Sequence, residues 1–293
     1  MAMLKKPVRN RTDKERATAR PFLKWAGGKQ QLLSQLEPLF PQKFTRYIEP
    51  FVGGGAVFFH LWNRARLPEE VYLFDSNEEL INTYRVVRDQ VDELIELLTA
   101  HRQNHSREYY YSIRNLDRQP TNRLSAPERA ARTIYLNKTC FNGLYRVNSK
   151  GQFNVPMGRY KNPAILNAEL LRAASRALYN IHLEVLDFRR LPGISRPGDF
   201  FYVDPPYAPI SKSANFTSYT RGSFDDADQR ELAHVFRELT DNGCYCMLSN
   251  SYTPFILELY RGFRIEVVQA NRAINANANR RGRVKEVVVV NYG

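Results

Sequence analysis

The chain has 293 residues, of which 43% are hydrophobic, enough to bury a sizeable core and to exclude global disorder. Lysine and arginine number 43 against 30 acidic residues, and this net charge of +13 favours a polyanionic partner, nucleic acid before membrane. The alternative is a basic protein that its charge merely keeps soluble.

Neither a membrane span nor a disulfide framework is expected. No run of about 18 apolar residues occurs, and the N-terminus has no apolar segment of the kind that forms a signal peptide. The three cysteines, Cys140, Cys244 and Cys246, are odd in number, and two of them lie in one apolar run. This pattern predicts buried free thiols in a reducing compartment rather than a zinc site.

The N-terminal part of the chain contains a basic segment and then a glycine-containing motif. Residues 1–20 predict a flexible arm, which would either contact phosphates or act only as a solubilising tail. In residues 22–29, two glycines between Trp25 and Lys29 allow the backbone to approach a ligand closely. Trp25 could stack on a ring and Lys29 could pair with a carboxylate; a helix cap beside a core tryptophan is the structural alternative. Four leucines at helical spacing predict a helix from there to Pro41.

A strand, a glycine turn and a helix follow. Residues 46–50 predict a strand, and Gly53 and Gly55 then introduce a helix, which is the first half of a nucleotide-binding α/β unit. A second strand at 71–75 ends in Asp75, about 20 residues beyond the glycines, where such folds place a carboxylate that binds a ribose. Together these features predict an adenosine-containing cofactor without identifying it.

The strand–helix alternation stops between about residues 77 and 180. Residues 77–101 have helical periodicity, and 106–141 predict helical pieces broken near Pro120 and Pro127, so we expect an inserted helical subdomain. Within it, two alternating runs between 140 and 160 surround a Ser-Lys-Gly turn and predict a β-hairpin. Its basic and aromatic side chains suit the DNA major groove, although a solvated basic hairpin is the alternative.

The last third of the chain returns to α/β alternation. Strands are predicted at 181–187, 199–204, 244–248, 263–268 and 284–290, with an amphipathic helix from Phe224 to about 240. Residues 208–223 predict a mobile polar loop, and the basic stretch 271–283 is suited to phosphate contacts.

The strand at 199–204 leads directly into Asp204-Pro205-Pro206-Tyr207, which we call the Asp204 corner. Two prolines stop further strand pairing and hold the carboxylate at the carboxyl end of the strand, where α/β sheets bind ligands. A carboxylate, a carbonyl and an aromatic ring on one stiff segment suit a planar group that bears an amine, such as a nucleobase. Ordinary turn chemistry is the alternative for these four residues alone.

With these motifs in this order, residues 21–293 resemble the Dam-type DNA adenine-N6 methyltransferases. The similarity lies in 22–29, the glycine turn at 51–55, Asp75, the region 140–160, Asp187-Phe188 and the Asp204 corner. It implies an α/β fold: a seven-stranded Rossmann-like methyltransferase sheet with an inserted, mainly helical target-recognition subdomain that bears a β-hairpin. The implied units are a basic arm at 1–20, a catalytic domain at 21–85 plus 181–293, and a DNA target-recognition subdomain at 86–180.

The resemblance also implies roles for individual residues. S-adenosylmethionine would be the cofactor and S-adenosylhomocysteine the product, with no metal, and the cofactor-binding residues would be Trp25, Lys29, Glu49, Gly53, Gly55, Asp75, Asp187, Phe188 and Asp204. The residues that read a GATC site would be Lys24, Leu144, Arg146, Pro156 and Tyr160, and those that help to open the duplex Phe141 and Asn142. The partner would be double-stranded DNA, and the protein a cytoplasmic, nucleoid-associated monomer of a bacterial or phage-infected cell. The insert departs from the best-known members at positions that flank these residues.

The catalytic residues implied are Asp204, Pro205, Pro206 and Tyr207. The Asp204 carboxylate and the Pro205 carbonyl would bind the two hydrogens of adenine N6, and Tyr207 would stack on a base flipped out of the duplex. Three rival functions stay open: methylation of RNA or of a protein amide, a DNA-binding regulator without catalysis, and a nicotinamide dehydrogenase. The last depends on the glycine turn alone.

Overall fold

The structure is a computed structural model that describes residues 18–119, 123–208, 224–271 and 283–293. Three predicted features fall largely outside these ranges: the basic arm at 1–20, the polar loop at 208–223 and the basic stretch at 271–283. The sheet, its helices and the residues of the Asp204 corner all lie within them.

Seven strands form one sheet in the order β3-β2-β1-β4-β5-β7-β6. The strands are β1 (Arg46–Glu49), β2 (Glu70–Asp75), β3 (His182–Val185), β4 (Phe200–Val203), β5 (Tyr245–Ser251), β6 (Arg264–Asn271) and β7 (Arg283–Val290). Strands β1 to β5 run parallel to one another, whereas β7 runs antiparallel to both β5 and β6. The predicted seven-stranded α/β architecture is confirmed, and β5 continues three residues beyond its predicted end at Leu248.

Nine α-helices connect or flank these strands in the described part of the chain. They are α1 (Leu33–Leu36), α2 (Ala56–Asn63), α3 (Glu78–Asp89), α4 (Val91–Gln103), α5 (Arg107–Asn115), α6 (Ala126–Thr139), α7 (Ala168–Leu178), α8 (Asp226–Asp241) and α9 (Pro254–Leu259). Every residue of β1 and β4 is buried, because these central strands have helices on both faces. β4 is a continuous run of apolar and aromatic residues, whereas β1 buries a charged residue at each end, Arg46 and Glu49.

Three helix predictions need correction. The helix expected after Lys29 is only the single turn α1 between two 3-10 turns, because Pro38 has no amide hydrogen and its ring crowds the preceding turn. The segment 77–101 is two helices, broken at Gln90. Pro127 does not break a helix: it lies in the first turn of α6, where proline is tolerated, behind a capping box formed by Ser125 and Glu128.

The predicted β-hairpin at 140–160 is irregular. The chain doubles back there, but its described residues form only two isolated antiparallel bridges, Cys140 with Met157 and Val147 with Phe153. A 3-10 turn with Asn142 at a positive φ of 56° interrupts the first arm. The predicted hairpin is therefore present around the Ser-Lys-Gly turn, but backbone turns and side-chain hydrogen bonds replace most of a regular ladder.

Helices α3 to α7 lie between β2 and β3 in sequence, and they share a hydrophobic core with one face of the sheet. This core includes Tyr202 of β4, Tyr84 of α3 and Tyr135 of α6, all buried. A second core on the opposite face packs α8 and α9 against the sheet. The predicted boundary between residues 85 and 86 falls within α3. The three cysteine thiols are buried and unpaired, as predicted.

Side chains cover the backbone at both edges of the sheet. Arg85 and Arg88 of α3 donate hydrogen bonds to the carbonyls of Leu183 and Ile181 beside edge strand β3. At the other edge, the amide of Gln35 both donates to the carbonyl and accepts from the backbone N–H of Gln269 in β6. Such contacts occupy groups that another strand would otherwise pair with. Among the described helices, none is long and apolar enough to cross a bilayer.

Candidate active site

The Asp204 corner lies at the topological switch point of the sheet. From β1 the chain crosses to β2 and β3 on one side, whereas β4 and β5 follow on the other, so a crevice opens at the carboxyl ends of β1 and β4. Strand β4 ends at Val203, and the two prolines directly after Asp204 prevent further pairing. Asp204 therefore lies at the carboxyl end of β4, as the sequence predicts.

Asp204 forms an ion pair with Lys29, from the predicted glycine motif. The Nζ atom of Lys29 lies 2.9 Å from Oδ1 of Asp204 and also donates to the carbonyl of Gly27 over 2.6 Å. Only 3% of the Lys29 side chain is exposed. Burial raises the pKa of Asp204 to about 6 against the opposing charge of Lys29, and the carboxylate of Glu286 adds to the increase. A carboxylate in this position remains a strong acceptor at neutral pH.

Tyr207 is held in place by its hydroxyl group. The hydroxyl donates to Oε2 of Glu286 over 2.7 Å, and Nζ of Lys29 lies 4.6 Å from the centre of the ring. The carbonyl of Pro205 has no donor among the described residues, whereas the carbonyl of Pro206 accepts from Gln229 over 2.8 Å. The corner thus presents one carboxylate, one fixed aromatic ring and one carbonyl to which none of the described residues donates.

The glycine turn after β1 closes against Asp75. The two carboxylate oxygens of Asp75 accept from the backbone N–H groups of Gly53, over 3.2 Å, and Asn77, over 3.0 Å. Burial nevertheless raises the pKa of Asp75 to about 6. Gly53 has a φ of 47°, and a Cβ atom there would lie 2.7 Å from the ring of Trp25. Trp25 therefore covers the turn, and only glycine fits beneath it.

Glu49 is the most deeply buried carboxyl group of the site. It ends β1, is 2% exposed and accepts a hydrogen bond from the hydroxyl of Tyr47 over 2.8 Å. Burial raises its pKa to about 8, although the bond from Tyr47 acts in the opposite direction. The group is therefore mostly protonated at neutral pH, which turns it into a potential hydrogen-bond donor.

Asp187 and Phe188 stand apart from the other predicted cofactor residues. The Asp187 side chain is 52% exposed and pairs with Arg189 over 2.9 Å, so it does not join the charged centre around Asp204. Phe188 is buried, and its ring lies 5.8 Å from that of Phe51 in the glycine turn. Phe188 thus forms an apolar wall next to the turn.

The seven predicted DNA-reading residues are all exposed. They are Lys24, Phe141, Asn142, Leu144, Arg146, Pro156 and Tyr160. Phe141 is 50% exposed, an unusual position for a large apolar side chain. Nζ of Lys24 lies 4.4 Å from the ring centre of Tyr160, and Nε of Arg146 donates to Asn154 over 2.7 Å. We call these seven residues the recognition surface.

One buried amide connects the recognition surface to the cofactor motif. The side chain of Asn137 accepts from the backbone N–H of Lys24 over 2.8 Å and donates to the carbonyls of Lys24 and Gly143. Beside it, the ring of Tyr145 stacks on Trp25 at 5.4 Å. Neither Asn137 nor Tyr145 was predicted as a site residue, because the burial that makes them significant arises from tertiary packing.

Three further residues behind the Asp204 corner were not predicted either. Gln229 and Glu286 contact Pro206 and Tyr207 directly, and Asn250 bonds to Gln229. The only sequence signal was the polar run Ser249-Asn250-Ser251 at the end of an apolar strand. In the described part of the chain, no cluster of three or more histidine, cysteine or acidic side chains could hold a metal ion.

The chain is similar to known proteins over most of its length. A family model described as D12 class N6 adenine-specific DNA methyltransferase matches residues 25–274. The chain is 45% identical over 287 residues to the Type II methyltransferase M1.LlaDCHI of Lactococcus lactis subsp. cremoris, covering 97% of this chain and 99% of that protein. It is 44% identical to the Type II methyltransferase M.MjaIII of Methanocaldococcus jannaschii, with 93% and 99% covered. It is 37% identical to a DNA adenine methylase of Haemophilus influenzae, with 92% and 93% covered.

Proposed function

The chain belongs to the D12 class of N6 adenine-specific DNA methyltransferases, and from that premise we propose that it methylates GATC sites by base flipping. S-adenosylmethionine would be the methyl donor and S-adenosylhomocysteine the product. The observation that carries the proposal is the Lys29–Asp204 ion pair beside the free carbonyl of Pro205 at the switch point of the sheet.

The two acceptors suit an exocyclic amine. The Asp204 carboxylate and the Pro205 carbonyl would each accept one N6–H, which localises the nitrogen lone pair that is otherwise delocalised into the ring. A sulfonium donor would supply the methyl group and keep the electron pair of the broken C–S bond, and the surplus amine proton, hydrogen-bonded to the Asp204 carboxylate, would leave to solvent. Tyr207, held by Glu286, would stack on the adenine after it leaves the duplex.

The cofactor would occupy the crevice between the glycine turn and the Asp204 corner. Asp75 would bind the ribose, and Gly53 and Gly55 would let the backbone approach the cofactor closely; the hydrogen bond between Gly53 and Asp75, which joins the turn to the carboxylate, supports this assignment. Trp25 and Phe188 would supply apolar contacts, and Lys29 and Glu49 polar ones; the exposed Asp187 would also contact the cofactor from the end of β3. The sulfonium donor supplies an electrophilic methyl group, and these side chains orient it.

The recognition surface supports duplex DNA as the substrate. Lys24, Leu144, Arg146, Pro156 and Tyr160 would contact the GATC bases, and a bidentate contact of Arg146 with guanine would give about 1–3 kcal/mol of discrimination. Phe141 and Asn142 would enter the opened duplex, which accounts for an apolar ring that is half exposed to solvent.

The division of labour within the chain follows from these assignments. We place the catalytic domain at 21–85 plus 181–293 and the target-recognition subdomain at 86–180, with the basic arm at 1–20 as an accessory. Side chains cover both sheet edges, which favours a monomer. The location that goes with a DNA substrate would be cytoplasmic and nucleoid-associated. The relatives' names leave two cellular roles: a restriction–modification partner, or a DNA adenine methylase in replication and repair.

Methyl transfer from labelled S-adenosylmethionine to matched substrates tests the proposal. The substrates are a DNA duplex with a GATC site, a DNA duplex with the same bases scrambled, and the corresponding RNA, which carries GAUC. We expect incorporation into the first alone, at adenine N6 by mass spectrometry of the nucleosides. Equal incorporation into the scrambled duplex would refute GATC specificity, and preferential incorporation into RNA would refute the DNA substrate.

A further inference from the structure

Two buried primary amides lie behind the Asp204 corner. Gln229 on α8 is 1% exposed and Asn250 on β5 is fully buried. Nδ2 of Asn250 donates to Oε1 of Gln229 over 3.0 Å. Both belong to a face of the sheet whose core is otherwise apolar, with Leu232 and Leu248 nearby in sequence. Burying two amides in such a place is unfavourable unless their hydrogen bonds are satisfied.

The other polar atoms of Gln229 and Asn250, which we call the amide pair, form hydrogen bonds with the backbone at and just after the Asp204 corner. Nε2 of Gln229 donates to the carbonyl of Pro206 over 2.8 Å. Oδ1 of Asn250 accepts from the N–H groups of Ala208, over 3.4 Å, and Ser251, over 2.8 Å. The hydroxyl of Ser251 completes the set by donating to the carbonyl of Ala208 over 2.9 Å. Residues 206–208 are thus fixed from behind.

The two prolines make this support necessary. Pro205 and Pro206 have no backbone N–H, so backbone hydrogen bonds can hold these two residues only through their carbonyls. The bond from Gln229 occupies the carbonyl of Pro206, while the carbonyl of Pro205 has no donor among the described residues. The amide pair therefore fixes one carbonyl of the corner and leaves the other for an incoming amine.

We propose that Gln229 and Asn250 are positioning residues for methyl transfer, which act on the substrate amine only through the backbone of Pro206 and Ala208. The inference rests on the proposed function of Asp204 and Pro205. Neither amide needs to touch DNA or the cofactor, so their loss should lower kcat and leave both KM values nearly unchanged. A displacement of about 1 Å at the reacting groups is sufficient to reduce the rate by up to about 100-fold.

Gln229→Met and Gln229→Glu separate positioning from general damage. The methionine has a similar volume but neither donor nor acceptor function of the amide, and we expect kcat to fall about 10- to 100-fold with both KM values within about threefold. The glutamate keeps the acceptor for Asn250, but it can donate to Pro206 only when protonated. The rate of Gln229→Glu relative to wild type should therefore approach unity as the pH is lowered from 8 to 6.

Asn291→Leu is the matched control. The Asn291 amide accepts from the backbone N–H of Cys246 over 2.8 Å and donates to the carbonyl of Cys244 over 2.8 Å, at the opposite end of β5. Its loss should lower the melting temperature and leave kcat unchanged. All variants are the full chain, with folding checked by thermal unfolding and cofactor binding by calorimetry.

A fully active Gln229→Met variant would overturn the proposal. A Gln229→Glu variant that is equally impaired at every pH would also overturn it. If the methionine variant does not fold, the pH dependence of the Gln229→Glu rate relative to wild type decides alone. Asp204→Ala, assayed in parallel, distinguishes failure of the positioning role from failure of the proposed methyl-transfer function. If it is inactive while Gln229→Met matches wild type, only the positioning role fails, whereas an active Asp204→Ala enzyme would remove the proposed function on which that role depends.

Discussion

Strand β4 has an aspartate at each end, one fully buried and the other, Asp204, with 18% of its side chain exposed. Asp199, before the strand, is fully buried and accepts from Nε of Arg46 over 2.7 Å, from a second nitrogen of Arg46, and from the backbone N–H of Arg196 over 2.7 Å. Asp204, after the strand, pairs among the described residues with one cation, Lys29. The charge of Glu286 helps to raise the pKa of Asp204, and the charge of Asp204 helps to raise the pKa of Glu49.

The difference separates a structural carboxylate from a reactive one. The donors around Asp199 match its acceptors, so nothing remains for a ligand, and Arg46 also fixes the carbonyl of Ile194. Asp204 has a pKa raised to about 6 and keeps acceptor capacity at the crevice. Perturbed carboxyl groups of this kind concentrate at functional sites. Four substitutions test the comparison, from the largest expected effect to the smallest.

Asp204→Ala should reduce methyl transfer by at least about 1,000-fold, because the main acceptor for the substrate amine is lost. We expect the unfolding free energy to change little, because removing a poorly solvated carboxylate is opposed by the cost of leaving the buried Lys29 without its partner. Single-turnover assays measure the first quantity and urea unfolding the second. Asp199→Ala is the counterpart at the other end of β4 and should show the opposite pattern, with rates per folded molecule preserved.

Arg46→Met should lower the unfolding free energy by about 3–5 kcal/mol, because it leaves the buried Asp199 carboxylate without its cation. Urea denaturation at pH 7 measures the loss. The double variant Arg46→Met/Asp199→Leu should recover a large part of it, since no unpaired charge remains. A loss under about 1 kcal/mol in the single variant would show that Asp199 is not the tightly paired carboxylate of the comparison.

Glu49→Gln should change how stability depends on pH. Glu49 keeps its proton up to about pH 8 in the folded protein but only to about pH 4.5 when unfolded. The folded state therefore binds more protons between these values, and the unfolding free energy falls as the pH rises. The unfolding free energy of Glu49→Gln, taken relative to that of wild type, should therefore rise by about 2–3 kcal/mol between pH 6 and 8. Stability curves that stay parallel across this window would exclude a protonated Glu49.

Glu286→Gln should have the smallest effect. Glutamine still accepts the hydroxyl of Tyr207, but the negative charge that helps to raise the pKa of Asp204 is gone. If methyl transfer requires ionised Asp204, the acid limb of the pH–rate profile should move to lower pH by less than about one unit. An unmoved limb would mean that Glu286 acts on Tyr207 alone.

The sequence predicts the sheet and much of the Asp204 corner, because both depend on local patterns. Apolar runs define the strands, and two prolines after a strand predict where Asp204 lies. Lys29 was expected to pair with a carboxylate, but only the fold shows that its partner is Asp204, 175 positions along the chain. Asn137, Gln229 and Asn250 are polar residues of a kind usually exposed, so tertiary packing alone makes them buried supports. The sequence predicts where the hairpin turns back, but alternation does not reveal the 3-10 turn around Asn142 and Gly143 that interrupts its first arm.

The shared hydrophobic core of α3 to α7 and the sheet bears on how new sequence specificity could arise in this enzyme. Exchanging the whole insert at 86–180 for that of a relative would remove buried side chains such as Tyr135 from the core that they share with Tyr84, whose hydroxyl donates to the carbonyl of Gly53 in the glycine turn. Retuning through the solvent-facing positions, Leu144, Arg146 and Tyr160 among them, leaves that packing intact. Divergence of recognition is therefore expected to proceed by single side-chain replacements rather than by transplanting modules.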